Sequence, residues 1–267
     1  MRGEPNVKTV ILCGGRGTRL SEETSLKPKP MVTVGGQPIL WHILSNYSYY
    51  GFNDFVLALG YKGDVIKEYF LNYHAMQSNF RVDLCSGKID YARTSKHNWI
   101  VELIDTGNNT MTGGRLRRLE ELLRPSGTFF LTYGDGVASI PLSSLLDFHR
   151  SHRKLVTVSA VRPLARFGGM TLDGSIVKSF KEKSQSGEGW INGGFFVMEP
   201  EVFDYLKDDQ TVLEGFPMEQ LARDGELVAF QHAGFWHCMD TVRDRETLEE
   251  LWNSGEAPWK VWNDELS

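Results

Sequence analysis

Four cations, Arg16, Arg19, Lys27 and Lys29, stand close together, two of them inside the glycine-rich stretch Gly14-Gly-Arg-Gly-Thr-Arg19. Glycines let a backbone approach a ligand closely, and the successive N–H groups of such a loop can form a nest for phosphate oxygens. The spacing suits a phosphate-bearing ligand, but the familiar glycine fingerprints do not fit. No Gly-Lys-Ser/Thr closes the loop, and Leu20 stands where the dinucleotide fingerprint has its third glycine. Other reactive residue types are thinly spread. Cys13, Cys85 and Cys238 are scattered, with no C-x-x-C pair to suggest a disulfide framework or a thiolate zinc site. His149 and His152 share an expected helix without a third ligand, so they read as surface histidines.

A phosphate loop needs a strand to carry it. Val7 to Cys13 is an apolar run that stops at Gly14-Gly15, the pattern of a buried strand entering a tight loop. Pro38 to Tyr50 has helical spacing with proline at its start and Gly51 just beyond its end. Asp54 to Leu59 is a second buried strand, and Asp64 is the expected N-cap of a helix reaching Asn72. This alternation implies right-handed crossovers and a mainly parallel sheet. Further strands are expected at Trp99 to Asp105, Thr128 to Tyr133 and Leu155 to Val161, with helices at Arg115 to Leu123 and Leu142 to His152. Phe80 to Arg93 and Gly168 to Met198 read as excursions of short strands and hairpins. Helical patterns return at Glu201 to Leu206, Pro217 to Arg223 and Arg243 to Trp252. No repeat or linker interrupts the chain, so residues 1–267 are read as one domain with a core at 7–240 and an appendage at 241–267. Trp252, Trp259 and Trp262 of that appendage are expected to pack on the domain or on a neighbouring subunit of a homo-oligomer.

Composition sets the outer bounds. With 267 residues, 41% of them hydrophobic, the chain can bury a full core and is not disordered. A net charge of −5 argues against a protein that coats nucleic-acid phosphates, although a single pocket needs only a local positive excess. The polar start Met1-Arg-Gly-Glu-Pro lacks a signal peptide's apolar core, and no run approaches a membrane span. The expectation is a cytoplasmic protein without nucleic-acid polymer or membrane as partner.

Gly14-Gly-Arg-Gly-Thr-Arg19 together with Lys27-Pro-Lys-Pro30 resembles the signature of the sugar-1-phosphate nucleotidylyltransferases. Segments along the rest of the chain are similar to the glucose-1-phosphate cytidylyltransferase branch of that family. They include Gly35-Gly-Gln-Pro-Ile-Leu-Trp-His42, Gly60-Tyr-Lys-Gly63, Asp105-Thr-Gly107 and Met111-Thr-Gly-Gly-Arg115. Thr132-Tyr-Gly-Asp-Gly136, Ile191-Asn-Gly-Gly-Phe-Phe196, Gly234-Phe-Trp236 and Met239-Asp-Thr241 belong to the same set. The resemblance implies an α/β, Rossmann-like nucleotidyltransferase fold: a mainly parallel mixed sheet flanked by helices, with a small β-hairpin subregion. It also implies CTP and glucose 1-phosphate as substrates and CDP-glucose and pyrophosphate as products.

In that reaction the sugar phosphate is itself the nucleophile, so no Ser, Cys or His base is needed. The enzyme must place a phosphate oxygen in line with the nucleotide's α-phosphorus and offset a crowd of negative charge. Phosphoryl-transfer logic assigns that work to Mg²⁺ and a few cations, with one or two carboxylates holding the metal. The family's metal-binding aspartates fall on Asp135, between two glycines, and on Asp240, after the apolar run Phe235 to Met239. Read alone, Asp135 would be a turn or cap residue and Asp240 the N-cap of the next helix. Arg19, Lys29 and Asp135 are the expected catalytic groups. The resemblance carries Leu12, Cys13, Gly14, Gly15, Arg16, Gly17, Thr18, Arg19 and Lys29 over as nucleotide contacts, joined by Thr110, Arg115 and Gly134. Glu182 would accept from glucose hydroxyls, Lys183 would face the sugar's phosphate and Asn192 would bond a hydroxyl pair, although Ser184 follows where many relatives have proline. Cys13 is expected to serve as a small buried packing residue. The alternatives are the same fold with UTP, dTTP or another sugar 1-phosphate, and a non-catalytic sugar-nucleotide-binding regulatory subunit.

Overall fold

The computed structural model describes residues 7–92, 97–163, 169–173, 175–181 and 189–262. Seven strands form the central sheet: β1 (Thr9–Leu12), β2 (Asp54–Leu59), β3 (Ile100–Asp105), β4 (Phe129–Tyr133), β5 (Val156–Val161), β6 (Ile191–Met198) and β7 (Leu227–His232). Their order across the sheet is β7-β5-β6-β4-β1-β2-β3. β4, β1, β2 and β3 run parallel, β5 and β7 run parallel, and β6 lies antiparallel to both of its neighbours. This is the expected mainly parallel mixed sheet.

The central strands are mostly apolar and almost fully buried because both faces are covered. Side chains alternate across a strand, so Ile11, Phe55, Leu57 and Phe130 join one core while Val10, Leu12, Val56, Ala58, Phe129 and Leu131 join the other. The first core is covered by helices α1 (Ile39–Tyr49) and α2 (Gly63–Leu71) and by the chain's last helix and tail. The second core is covered by α3 (Thr112–Arg117) and by α5 (Phe216–Arg223), with Leu116 and Leu221 fully buried. Helix α4 (Leu142–His152) packs against β5, and α6 (Val242–Asn253) follows the last short strand.

Several local expectations need correction. The N-cap of α2 is Lys62, held in the left-handed region at φ 52°, and Asp64 sits in the first turn. The helix expected over Arg115 to Leu123 is divided into α3 and a turn at Glu120–Leu123. Ile191–Met198 is not a hairpin arm: it is the central strand β6, inserted between β5 and β4. Among the described residues of that region, Gly169–Asp173 and Ile176–Lys181 form the expected antiparallel pair. His149 is no surface residue; it is 1% exposed and bonds Thr157 Oγ1 at 2.8 Å and Glu199 Oε1 at 3.0 Å. His152 shares Thr157 Oγ1 at 2.7 Å, so both histidines tie α4 to the sheet. The aromatic tail packs on its own chain, with Trp259 at 1% and Trp262 at 7% exposure.

Candidate active site

A cleft of about 370 Å³ opens at the carboxyl ends of β1 and β4. β1 leads next through α1 to β2 on one side, while β4 occupies the other side. The cleft therefore lies where successive connections diverge, the usual ligand crevice of an open α/β sheet. The glycine loop leaves β1 at Cys13, and Gly17 takes φ +60°, a conformation open to glycine at little cost. Thr24 Oγ1 closes the loop by donating to Gly17 O at 3.1 Å.

Pairing of two very short strands brings the aspartates together. Trp236–Cys238 runs antiparallel to Gly136–Ala138, setting Cys238 opposite Gly136, and the Met239 N–H donates to Asp135 O at 2.9 Å. Asp240 therefore emerges beside Asp135, although 105 positions separate them in the chain (240 − 135). Asp240 is not the helix cap. Thr241 caps α6, and Asp244 Oδ2 accepts from the backbone N–H groups of both Asp240 and Thr241, at 3.0 and 2.8 Å. Lys29 enters in the short turn Lys29–Met31 and is 9% exposed. Its Nζ lies 2.6 Å from Asp135 Oδ2 and 2.6 Å from Asp240 Oδ1. Arg19, whose side chain is 75% exposed, reaches the other oxygen of Asp240 at 2.7 Å. Burial favours loss of the Lys29 proton, but the Asp135 charge and the two carboxylate hydrogen bonds outweigh it and hold the ammonium's pKa well above its ordinary value.

Asp135, Cys238 and Asp240 place one ligand atom each within 4.8 Å of one another. Burial, reinforced by the Asp135 charge, pushes the Cys238 thiol far up, so it stays protonated. What remains is a pair of carboxylates, the oxygen-only donor set that suits a hard divalent cation supplemented by phosphate and water. The residues present fit such an ion.

Of the other expected nucleotide contacts, Leu12, Cys13, Gly14, Gly15, Thr18, Thr110 and Gly134 also line the cleft. Cys13 is fully buried and its thiol is pushed up chiefly by that burial, in keeping with a packing role. Arg16, in contrast, is exposed and is not among the residues lining the cleft; it donates to Asn109 Oδ1 at 3.2 Å. Arg115 lines the cleft from behind. Its NH1 donates to Leu59 O, Thr106 Oγ1 and Gly107 O, and its NH2 donates to Gly14 O at 3.0 Å. A Cβ at Gly14 would meet its Cζ at 2.2 Å, and one at Gly60 would meet its NH1 at 2.3 Å. Those two glycines make room for the guanidinium, which pins the carbonyl side of the loop.

Asn192, at the start of β6, is exposed and is not among the residues lining the cleft; its Oδ1 accepts from the Gly194 N–H at 2.8 Å. Glu182 and Lys183 lie outside the described residues. The sequence reading missed the wall itself. Tyr133 donates its hydroxyl to Glu214, which also accepts from Thr112 Oγ1 at 2.6 Å. One carboxylate thereby joins the end of β4 to the start of α3. The signal in the sequence was slight, since Glu214 is one more acidic residue in a polar loop.

The chain matches the family model described as nucleotidyl transferase over residues 8–241. It is 48% identical over 256 residues to a glucose-1-phosphate cytidylyltransferase of Salmonella typhi, covering 96% of this chain and 100% of that protein. A probable glucose-1-phosphate cytidylyltransferase of Bacillus subtilis is 44% identical, with 96% and 100% covered. Among solved structures, HddC from Yersinia pseudotuberculosis superposes with a TM-score of 0.69 at 22% identity, covering 92% of this chain and 99% of that one, a likeness of fold. On sequence, coverage and architecture together, the chain belongs to the nucleotidyl transferase family.

Proposed function

We propose that the protein is a glucose-1-phosphate cytidylyltransferase, which joins CTP and α-D-glucose 1-phosphate into CDP-glucose and releases pyrophosphate. The supporting observation is the convergence of Lys29, Arg19, Asp135 and Asp240 in one cleft beside the glycine loop, in a chain 48% identical to the Salmonella cytidylyltransferase. A phosphate oxygen of the sugar phosphate attacks the α-phosphorus in line, and its bond to the pyrophosphate oxygen breaks on the opposite side. No proton has to be removed from the nucleophile, which accounts for a cleft built from cations and carboxylates.

The chain's own groups position and neutralise. The glycine-loop N–H groups receive the triphosphate, helped by Arg19 and Arg16, and Lys29 offsets charge developing around the α-phosphorus. Thr110 and Gly134 border the nucleoside, and Arg115 holds the loop's shape. Asn192 orients the sugar, in company with Glu182 and Lys183. Asp135 and Asp240 would hold Mg²⁺, which when bound supplies Lewis-acid stabilisation of the phosphoryl oxygens. The same reading keeps residues 7–240 and the appendage as one unit, because Leu248 and Trp259 belong to the core beneath α1. It places the protein in the cytoplasm; among the described residues no helix is long and apolar enough to cross a membrane. It also includes a homo-oligomer, supported by the hairpin of Phe80–Val82 and Ile89–Tyr91, which exposes Phe80, Val82, Ile89 and Tyr91. Incubation with CTP and glucose 1-phosphate should yield CDP-glucose by anion-exchange chromatography, with neither substrate sufficient alone. No product from this pair would remove the reading.

A further inference from the structure

Lys29 stands in the place between the two carboxylates that a divalent cation would need. Its ammonium is 2.6 Å from an oxygen of each aspartate, and Arg19 takes the second oxygen of Asp240 at 2.7 Å. Protein cations thus engage one oxygen of Asp135 and both oxygens of Asp240. A magnesium-sized ion sits about 2.1 Å from its oxygen ligands. It cannot share these oxygens with an ammonium lodged between them, because two cations at such separation repel strongly.

The lysine is built to leave. Its charge rides on a flexible four-carbon stem. The root of that stem lies against the phosphate loop: a Cβ placed on Gly17 would be 3.3 Å from Lys29 Cβ. An ammonium that quits the carboxylates therefore swings into the cleft beside the glycine nest, with its backbone fixed in the turn Lys29–Met31. Phosphate oxygens there offer the acceptors it gives up.

We propose that Lys29 is an exchangeable occupant of the metal site. In the free protein it neutralises Asp135 and Asp240. It passes to the phosphates when nucleotide and divalent cation arrive, so the two enter together and the free protein holds the cation weakly. The inference rests on the functional reading for the nucleotide, but its test needs no turnover.

The probe is Mn²⁺ alone, titrated into the full chain at neutral pH without nucleotide and followed by its electron paramagnetic resonance signal. Lys29→Met is expected to bind Mn²⁺ about tenfold more tightly than the unaltered protein, because a competing cation is gone. Arg19→Gln is expected to tighten binding by about threefold, from a more exposed pair. Lys27→Met, whose ammonium is 3.9 Å from Glu23 and away from the aspartates, should match the unaltered protein. If Lys29→Met binds Mn²⁺ equally or more weakly while Asp240→Asn abolishes binding, the exchange is wrong and the metal site stands. If Lys29→Met does not fold, judged by circular dichroism, Arg19→Gln decides in the same sense. If no variant binds Mn²⁺, with or without CTP, the metal assignment itself fails and takes this proposal with it.

Discussion

At the scale of single residues, the cleft is an arrangement of opposite charges in which Lys29 and Arg19 pair with Asp135 and Asp240. Asp135→Asn and Asp240→Asn should each lower kcat by at least about 100-fold. Each leaves Lys29 one carboxylate, so the melting temperature should stay within a few degrees of the unaltered protein. Steady-state kinetics with thermal unfolding checks both halves. Gly14→Ala acts through a different residue. The new methyl would strike the Arg115 guanidinium, which then loses its bond to the loop. Overpacking of this kind typically costs about 1–3 kcal/mol, and KM for the nucleotide should rise together with the stability loss. The sequence made the glycine loop and both aspartates legible through their motifs. It did not reveal that Arg115 faces carbonyls rather than open cleft, because nothing in Gly-Gly-Arg states which way a side chain turns. Nor did it reveal Glu214, whose role depends on two partners remote in the chain.

At the scale of elements, legibility followed burial. Asp54–Leu59 and Leu142–His152 stand where apolar periodicity put them, because each packs against a continuous core. β7 escaped notice because it is a short edge strand with half-exposed residues, and Leu-Val-Ala-Phe reads in sequence as a plain apolar run rather than an alternation. The three-residue pair of Gly136–Ala138 and Trp236–Cys238 is too short to carry a pattern, yet it sets the two aspartates side by side. Helix α6 reinforces that placement through its start. The Thr241 side chain accepts from Asp244 N while Asp244 accepts from the backbone of Thr241 and Asp240. Thr241→Ala should destabilise by about 1 kcal/mol, the usual worth of such a cap. A melting curve measures it, and an undiminished melting temperature would mean that packing alone fixes the helix start.

At the scale of the whole molecule, the appendage closes the core. Trp259 Nε1 donates to His42 Nδ1 at 3.4 Å, Asn46 donates to Trp259 O at 3.0 Å, and Trp252 crowds Gly35 at φ +58°. Trp259→Ala should cost about 3–5 kcal/mol, read as a shift in the urea midpoint. The same packing makes stability pH-dependent. Burial is the main cause that lowers the His42 pKa from 6.5 to about 4, so the folded chain resists a proton that the unfolded chain accepts. Stability is then full above pH 6.5 and falls by roughly 3 kcal/mol as the pH drops towards 4. His42→Gln should flatten that part of the profile. The charge arithmetic fits the same picture: in a chain of net charge −5, Lys29 and Arg19 still converge on the cleft beside the glycine loop. The most direct test of the central claim is the rate of pyrophosphate release over a panel of CTP, UTP and dTTP, each with glucose 1-phosphate and with other sugar 1-phosphates. The account predicts fastest release with CTP and glucose 1-phosphate. Faster release with UTP or dTTP, or no release with any pair, would contradict it.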